Sequence, residues 1–97
     1  MVHLEDRFTK DPDVVHRKVD GEWILVPILP RKEKKGRFYF MEGVEGRIWE
    51  LLDERRNCQA IIEEMVSEFH VKKKRAEKEI LLFLEELQKE GLIRRTS

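Results

Sequence analysis

The sequence predicts an α+β domain in which a three-stranded antiparallel sheet at the amino end is followed by three helices. Three observations predict it. Short apolar and aromatic runs bounded by Gly and Pro fill the first half of the chain, whereas from Val44 onward apolar residues recur about every 3.6 positions. The dipeptide Asp20-Gly21 stands between two β-type runs, and the link between the last two helical runs is short. Ninety-seven residues, 40% of them hydrophobic, suffice for one domain with a modest core.

Charge and cysteine content narrow the classes of partner. Twenty basic and 20 acidic residues cancel, so no overall field draws in nucleic acid or an anionic membrane, and an electrostatic partner must be met by a local patch. Cys58 stands alone, which excludes an internal disulfide. The amino terminus lacks the apolar run of a signal peptide or spanning helix, so the expected compartment is the reducing cytoplasm.

Residues 1–10 mix charges without periodicity and are expected to form a flexible tail, set off by the turn signal Asp11-Pro12-Asp13 from a single domain over residues 11–97. Strands are expected at residues 14–19 and 22–28. Asp20-Gly21 tolerates the positive φ of a two-residue hairpin turn and would set Val19 opposite Glu22, Lys18 opposite Trp23, His16 opposite Leu25 and Val15 opposite Val26. Both faces then carry apolar groups, so the pattern does not choose the core face. Pro27 and Pro30 end the ribbon, and residues 31–36 read as a basic loop. Arg37, Phe38, Tyr39, Phe40 and Met41 form a short aromatic run between Gly36 and Gly43, which predicts a third strand; as the last of a meander it is an edge, open to a partner.

Val44, Ile48, Leu51 and Leu52 define a first helix with Trp49 on its flank. Asn57 is the expected N-cap of a second helix, along which Cys58, Ile61, Ile62, Met65, Val66 and Phe69 make an apolar stripe. A third helix is expected over residues 72–89, closed by Gly91, with Leu92 and Ile93 folding back onto the core. The short link between the last two helices permits a helix-turn-helix arrangement.

No residue set argues for catalysis. His3, His16 and His70 are scattered, Cys58 has no second cysteine at ligand spacing and falls on an apolar stripe, and the helical glutamates occupy polar positions near lysines. No cofactor, metal or catalytic group is therefore expected. Two features exceed what a core requires. Ala76, Ile80, Phe83, Leu84 and Leu87 already form one stripe of the third helix, so Leu81 and Leu82 are leucines to spare. Lys72, Lys73, Lys74 and Arg75 put four cations in the first turn, where the helix dipole favours acids. Each has a plain structural explanation, a widened core contact or a solvated charge run. Each also suits a surface reserved for a partner.

The residues from Met41 to Asp53, Met-Glu-Gly-Val-Glu-Gly-Arg-Ile-Trp-Glu-Leu-Leu-Asp, resemble the signature of the PqqD family, which is named from pyrroloquinoline quinone biosynthesis and belongs with the peptide-recognition domains of modified-peptide pathways. Weaker matches are Ile61-Ile62-Glu63, Phe83-Leu84-Glu85-Glu86-Leu87 and Gly91-Leu92-Ile93. The resemblance covers about residues 14–93. It implies a winged helix-turn-helix-like fold that binds the leader of a ribosomally made precursor peptide. The leader adds as a strand beside the third strand, lies against the third helix, and is presented to a modifying enzyme such as a radical S-adenosylmethionine maturase.

Carried onto this chain, the peptide site is Arg37, Phe38, Tyr39, Phe40 and Met41 with the helix flank of Lys73, Lys74, Glu77, Leu81, Leu84 and Gln88. Leu81 and Leu84 would take apolar leader residues, and Lys73 and Lys74 acidic ones. Glu42 stands where the family has Asn, Glu45 and Arg47 where it has small residues, and Glu54 where Gly follows the Asp. These departures point to a relative serving another peptide-modification cluster, and because an exposed aromatic edge could also pair with itself the expected state is a monomer or weak dimer. The competing expectation is a DNA-binding winged helix with residues 72–75 on phosphates; neutral net charge and the surplus leucines count against it. A stand-alone hydrolase or transferase has no residue set behind it.

Overall fold

The computed structural model describes residues 1–28 and 38–96. Along the chain lie β1 (Phe8–Lys10), β2 (Val14–Val19), β3 (Glu22–Pro27), β4 (Tyr39–Met41), α1 (Gly43–Leu51), α2 (Cys58–Phe69), α3 (Lys73–Lys89) and β5 (Ile93–Arg95). The α+β class and the three helices follow the sequence pattern.

The strands are arranged in two sheets rather than one. The first is the expected meander, in the order β2-β3-β4. Asp20 and Gly21 have φ of 51° and 81°, the left-handed values a two-residue turn requires, and the turn delivers the expected register, Val19 opposite Glu22 through Val15 opposite Val26. β4 pairs antiparallel with β3, Trp23 opposite Met41, Ile24 opposite Phe40 and Leu25 opposite Tyr39. The core face is now decided: Val14, Leu25 and Met41 are buried, while Val15 and Phe40 lie on the exposed face. The basic loop, Pro30 and Arg37 fall outside the described residues.

The second sheet overturns the expectation of a free tail. β1 pairs antiparallel with β5, Phe8 opposite Arg95 and Lys10 opposite Ile93. Val2 and Phe8 are 4% and 1% exposed, and the backbone amides of Cys58 and Gln59 donate to the carbonyls of Asp6 and Leu4. The amino-terminal segment is thus a strap across the start of α2. Three-residue strands are too short to declare a period, and the partner of β1 lies at the other end of the chain, so local patterning could not find it.

Helix chemistry holds as expected at two points. Asn57 caps α2, its side-chain oxygen accepting from the Ala60 amide at 2.9 Å. Gly91, at φ 75°, closes α3 and turns Leu92 and Ile93 into the core. Two placements differ. Trp49, expected on a flank, is fully buried, and Val44 is exposed. The side chains of Ile48, Trp49, Leu51 and Leu52 are all buried, so the most specific part of the motif builds core.

Candidate functional site

Ladder geometry decides what β4 offers to a partner. A two-residue turn makes Val19 and Glu22 a hydrogen-bonded pair, and the alternation of an antiparallel ladder then makes Trp23 with Met41 and Leu25 with Tyr39 the bonded pairs between β3 and β4. The N–H and C=O of Phe40 therefore point away from β3, along the edge of the sheet. Tyr39 and Met41 turn their side chains inward, and that of Phe40, 60% exposed, lies on the outer face.

Across a groove of about 540 Å³ this edge faces one stripe of α3, made by Glu79, Leu82, Phe83, Glu86, Leu87 and Glu90 at the three- and four-residue steps of a helix face. Phe38, Tyr39, Phe40 and Met41 form the other wall, with Glu45 at one end and Leu92 below. The Tyr39 hydroxyl donates to Glu90 Oε1 at 2.7 Å and ties strand to helix. Leu82 is 55% exposed and Phe83 half-buried, so the helix wall is apolar along its middle. Its rim is acidic. Glu45 and Glu86 make no ion pair among the described residues, and Glu79 is shared with Arg75 at 3.0 Å. Such a groove can pair an added extended backbone at Phe40, cover apolar side chains with Leu82 and Phe83, and favour cations along its rim.

Of the residues expected from sequence, the groove gathers Phe38, Tyr39, Phe40 and Met41, and Arg37 lies outside the described residues. Lys73, Lys74, Glu77, Leu81, Leu84 and Gln88 do not line it. Leu84 is fully buried, Leu81 packs against the core, and Lys73 reaches Glu63 at 4.0 Å on α2. The groove is bounded instead by the neighbouring flank of the same helix. The signal for it was present: Leu82 shares its face with Glu79 and Glu86. A helical wheel states which residues travel together and is silent on which flank meets the strand.

Other reactive groups are engaged elsewhere. Cys58 is fully buried in the core, and burial pushes its thiol up to about 12, so it is held as the protonated, unreactive form. His16 packs against the rings of Trp23 and Trp49 at 5.3 and 5.6 Å. Among the described residues no helix is long and apolar enough to cross a membrane.

Comparison with known proteins bears on the family and the fold. The model of the family described as Coenzyme PQQ synthesis protein D (PqqD) matches residues 28–93. A solved structure described as TbiB1 in complex with the TbiA(beta) leader peptide has a TM-score of 0.78 at 24% identity, covering 92% of this chain and 98% of that one, a likeness of fold. No curated protein matches the chain.

Proposed function

The chain belongs to the PqqD family, and from that premise we propose that it binds the leader of a ribosomally made precursor peptide by strand addition to β4 and presents it to a modifying enzyme. The observation that carries this reading is the groove between the β4 edge and α3, where the backbone of Phe40 is directed at the space an added strand would fill. Backbone pairing supplies affinity with little demand on sequence. Leu82, Phe83 and the acidic rim supply selectivity, so the favoured leader segment is apolar and basic, in place of the acidic one expected from Lys73 and Lys74. TbiB1, which shares the fold, was solved with a leader peptide, and this supports the reading.

In this role the chain is a non-catalytic adaptor of winged helix-turn-helix-like architecture working in the cytoplasm, and the enzyme it serves is a radical S-adenosylmethionine maturase or another peptide-modifying catalyst. Glu79 and Glu86 face outward on the helix that a DNA reader would place in a groove, and their charge opposes phosphate. The test is an amide-shift titration of the isotopically labelled chain with the leader of a precursor encoded beside its gene. Shifts are expected at Phe40 and Met41 and along the Leu82–Phe83–Glu86 stripe. Shifts confined to the Asp20-Gly21 turn or to α2 would overturn the proposal.

A further inference from the structure

The geometry points to a second, apolar subsite that extends the β4 groove and anchors the same peptide, so that the channel selects ligands by an ordered pattern: a basic residue beside β4, a large apolar residue about five positions further on, and an acidic residue next to it. This inference rests on the peptide-binding reading above and gives that site its ligand class.

Beyond Met41 the groove opens, past Glu45, Glu79 and Phe83, which line both spaces, into a cavity of about 710 Å³ between α1 and the amino half of α3. Its floor is Ile48, Met65 and Ile80, and its walls are Val44, Phe69 and Val71, which are 47%, 39% and 44% exposed. Single exposed apolar side chains are ordinary on a protein surface; three converging on one concavity with an apolar floor make a pocket that an apolar side chain would fill.

Continuity and charge identify the occupant. An extended chain leaving the β4 edge past Met41 runs along α3 toward its amino end. From Glu86 to Arg75 the helix rises about 16 Å at about 1.5 Å per residue, a length covered by about five residues of extended chain. Among the described residues, the charges on that path that form no ion pair change sign, Glu86 and Glu45 near the strand and Lys72 at the far rim of the cavity, while Glu79 and Arg75 between them pair with each other at 3.0 Å. Lys72 forms no ion pair among the described residues, and it occupies the N-cap of α3 without a side-chain cap. A peptide whose charges run opposite to this gradient meets attraction at both ends.

The experiment pans the whole chain against a displayed random peptide library of about 16 residues, long enough to span the channel, and measures binding of an enriched peptide to the unaltered chain and to Val71→Asn and Leu82→Lys. Enriched sequences should share the basic, apolar, acidic order. Val71→Asn should weaken binding about 10- to 100-fold and leave unchanged the binding of a peptide whose apolar anchor is Ala, while Leu82→Lys, which removes an apolar contact and repels the basic residue, should weaken both peptides. Val44→Asn repeats the measurement from the opposite wall, and unchanged melting curves exclude misfolding. If Leu82→Lys weakens binding but Val71→Asn and Val44→Asn do not, the subsite falls and the peptide-binding reading stands. If no peptide is enriched, or Leu82→Lys has no effect, both fall. A dimer in the free chain that Val71→Asn dissociates would make a second copy the occupant and overturn the subsite.

Discussion

Glu50 draws donors from three elements. Its Oε2 accepts from Lys18 Nζ on β2 and Trp23 Nε1 on β3, both at 2.8 Å, and its Oε1 from Arg47 on α1 at 3.3 Å. Arg47 in turn grips Glu68 on α2 with three bonds of 2.7, 2.8 and 3.1 Å, which gives a reason for an arginine where the family has a small residue. The Lys18 and Trp23 bonds hold the Glu50 carboxyl down at about 2, below its ordinary 4.5. Because the folded-state value is the lower one, this contribution to stability is fully present above about pH 4.5 and is lost as the pH falls toward 2. Glu50→Gln should cost on the order of 1 kcal/mol at neutral pH, the modest size reflecting a Lys18 side chain half in solvent. Urea denaturation across pH should show the gap from the unaltered chain closing on acidification. At Glu54 the backbone has φ 70°, the region that favours glycine, which accounts for the Gly that follows the Asp in the family's pattern. Glu54 is exposed, so Glu54→Gly removes the strain without removing packing. It should raise stability by about 0.5–1 kcal/mol, the left-handed penalty less the extra entropy of the unfolded glycine; a denaturant midpoint that does not rise would count against this.

Among the elements, the least visible one carries much of the architecture. β1 and β5 are three residues each, yet their pairing joins both ends of the chain and holds the strap over the start of α2. Phe8 is the anchor, 1% exposed, with the Arg95 guanidinium 6.0 Å from its ring centre. Phe8→Ala should therefore cost about 3–5 kcal/mol, a core-sized loss from a segment that reads as a tail. Thermal or denaturant unfolding checks it, and a loss below about 1 kcal/mol would mean the strap is dispensable. At the other sheet, Gly46 lets α1 close on β4: a Cβ there would lie 3.2 Å from the Met41 carbonyl oxygen and 3.3 Å from Trp23 Cδ1. That close approach sets Glu45 at the end of the groove beside the β4 edge.

For the molecule as a whole, neutrality conceals polarity. Equal numbers of acids and bases give no net field, but the fold lines the β4 side of α3 with Glu79 and Glu86 and leaves Lys72 and Arg75 at the amino end of the same helix. These side chains are exposed, Arg75 and Glu79 by 79% and 63%, so salt screens them and electrostatic selection along the channel should weaken as ionic strength rises. The Tyr39 to Glu90 bond joins β4 to α3, so that strand and helix form the two walls of one groove.

Local rules in the sequence determined the elements whose causes are themselves local. The Asp20-Gly21 turn dictated the hairpin register, Asn57 the start of α2, Gly91 the end of α3, and the change of period at Val44 the passage from sheet to helix. They also marked the aromatic strand as an edge; of the two leucines counted as surplus on α3, Leu82 is exposed and Leu81 packs against the core. Tertiary structure decided the rest. Pairing β1 with β5 joins residues 7–10 to residues 93–96, a closure without a short-range signature. Which flank of α3 meets β4 depends on how the helix is rolled against the sheet, and burying Leu84 and packing Leu81 into the core turn Leu82, Glu79 and Glu86 toward the strand. A helical period fixes the angles between side chains and leaves the rotation of the whole helix to be set by what it packs against.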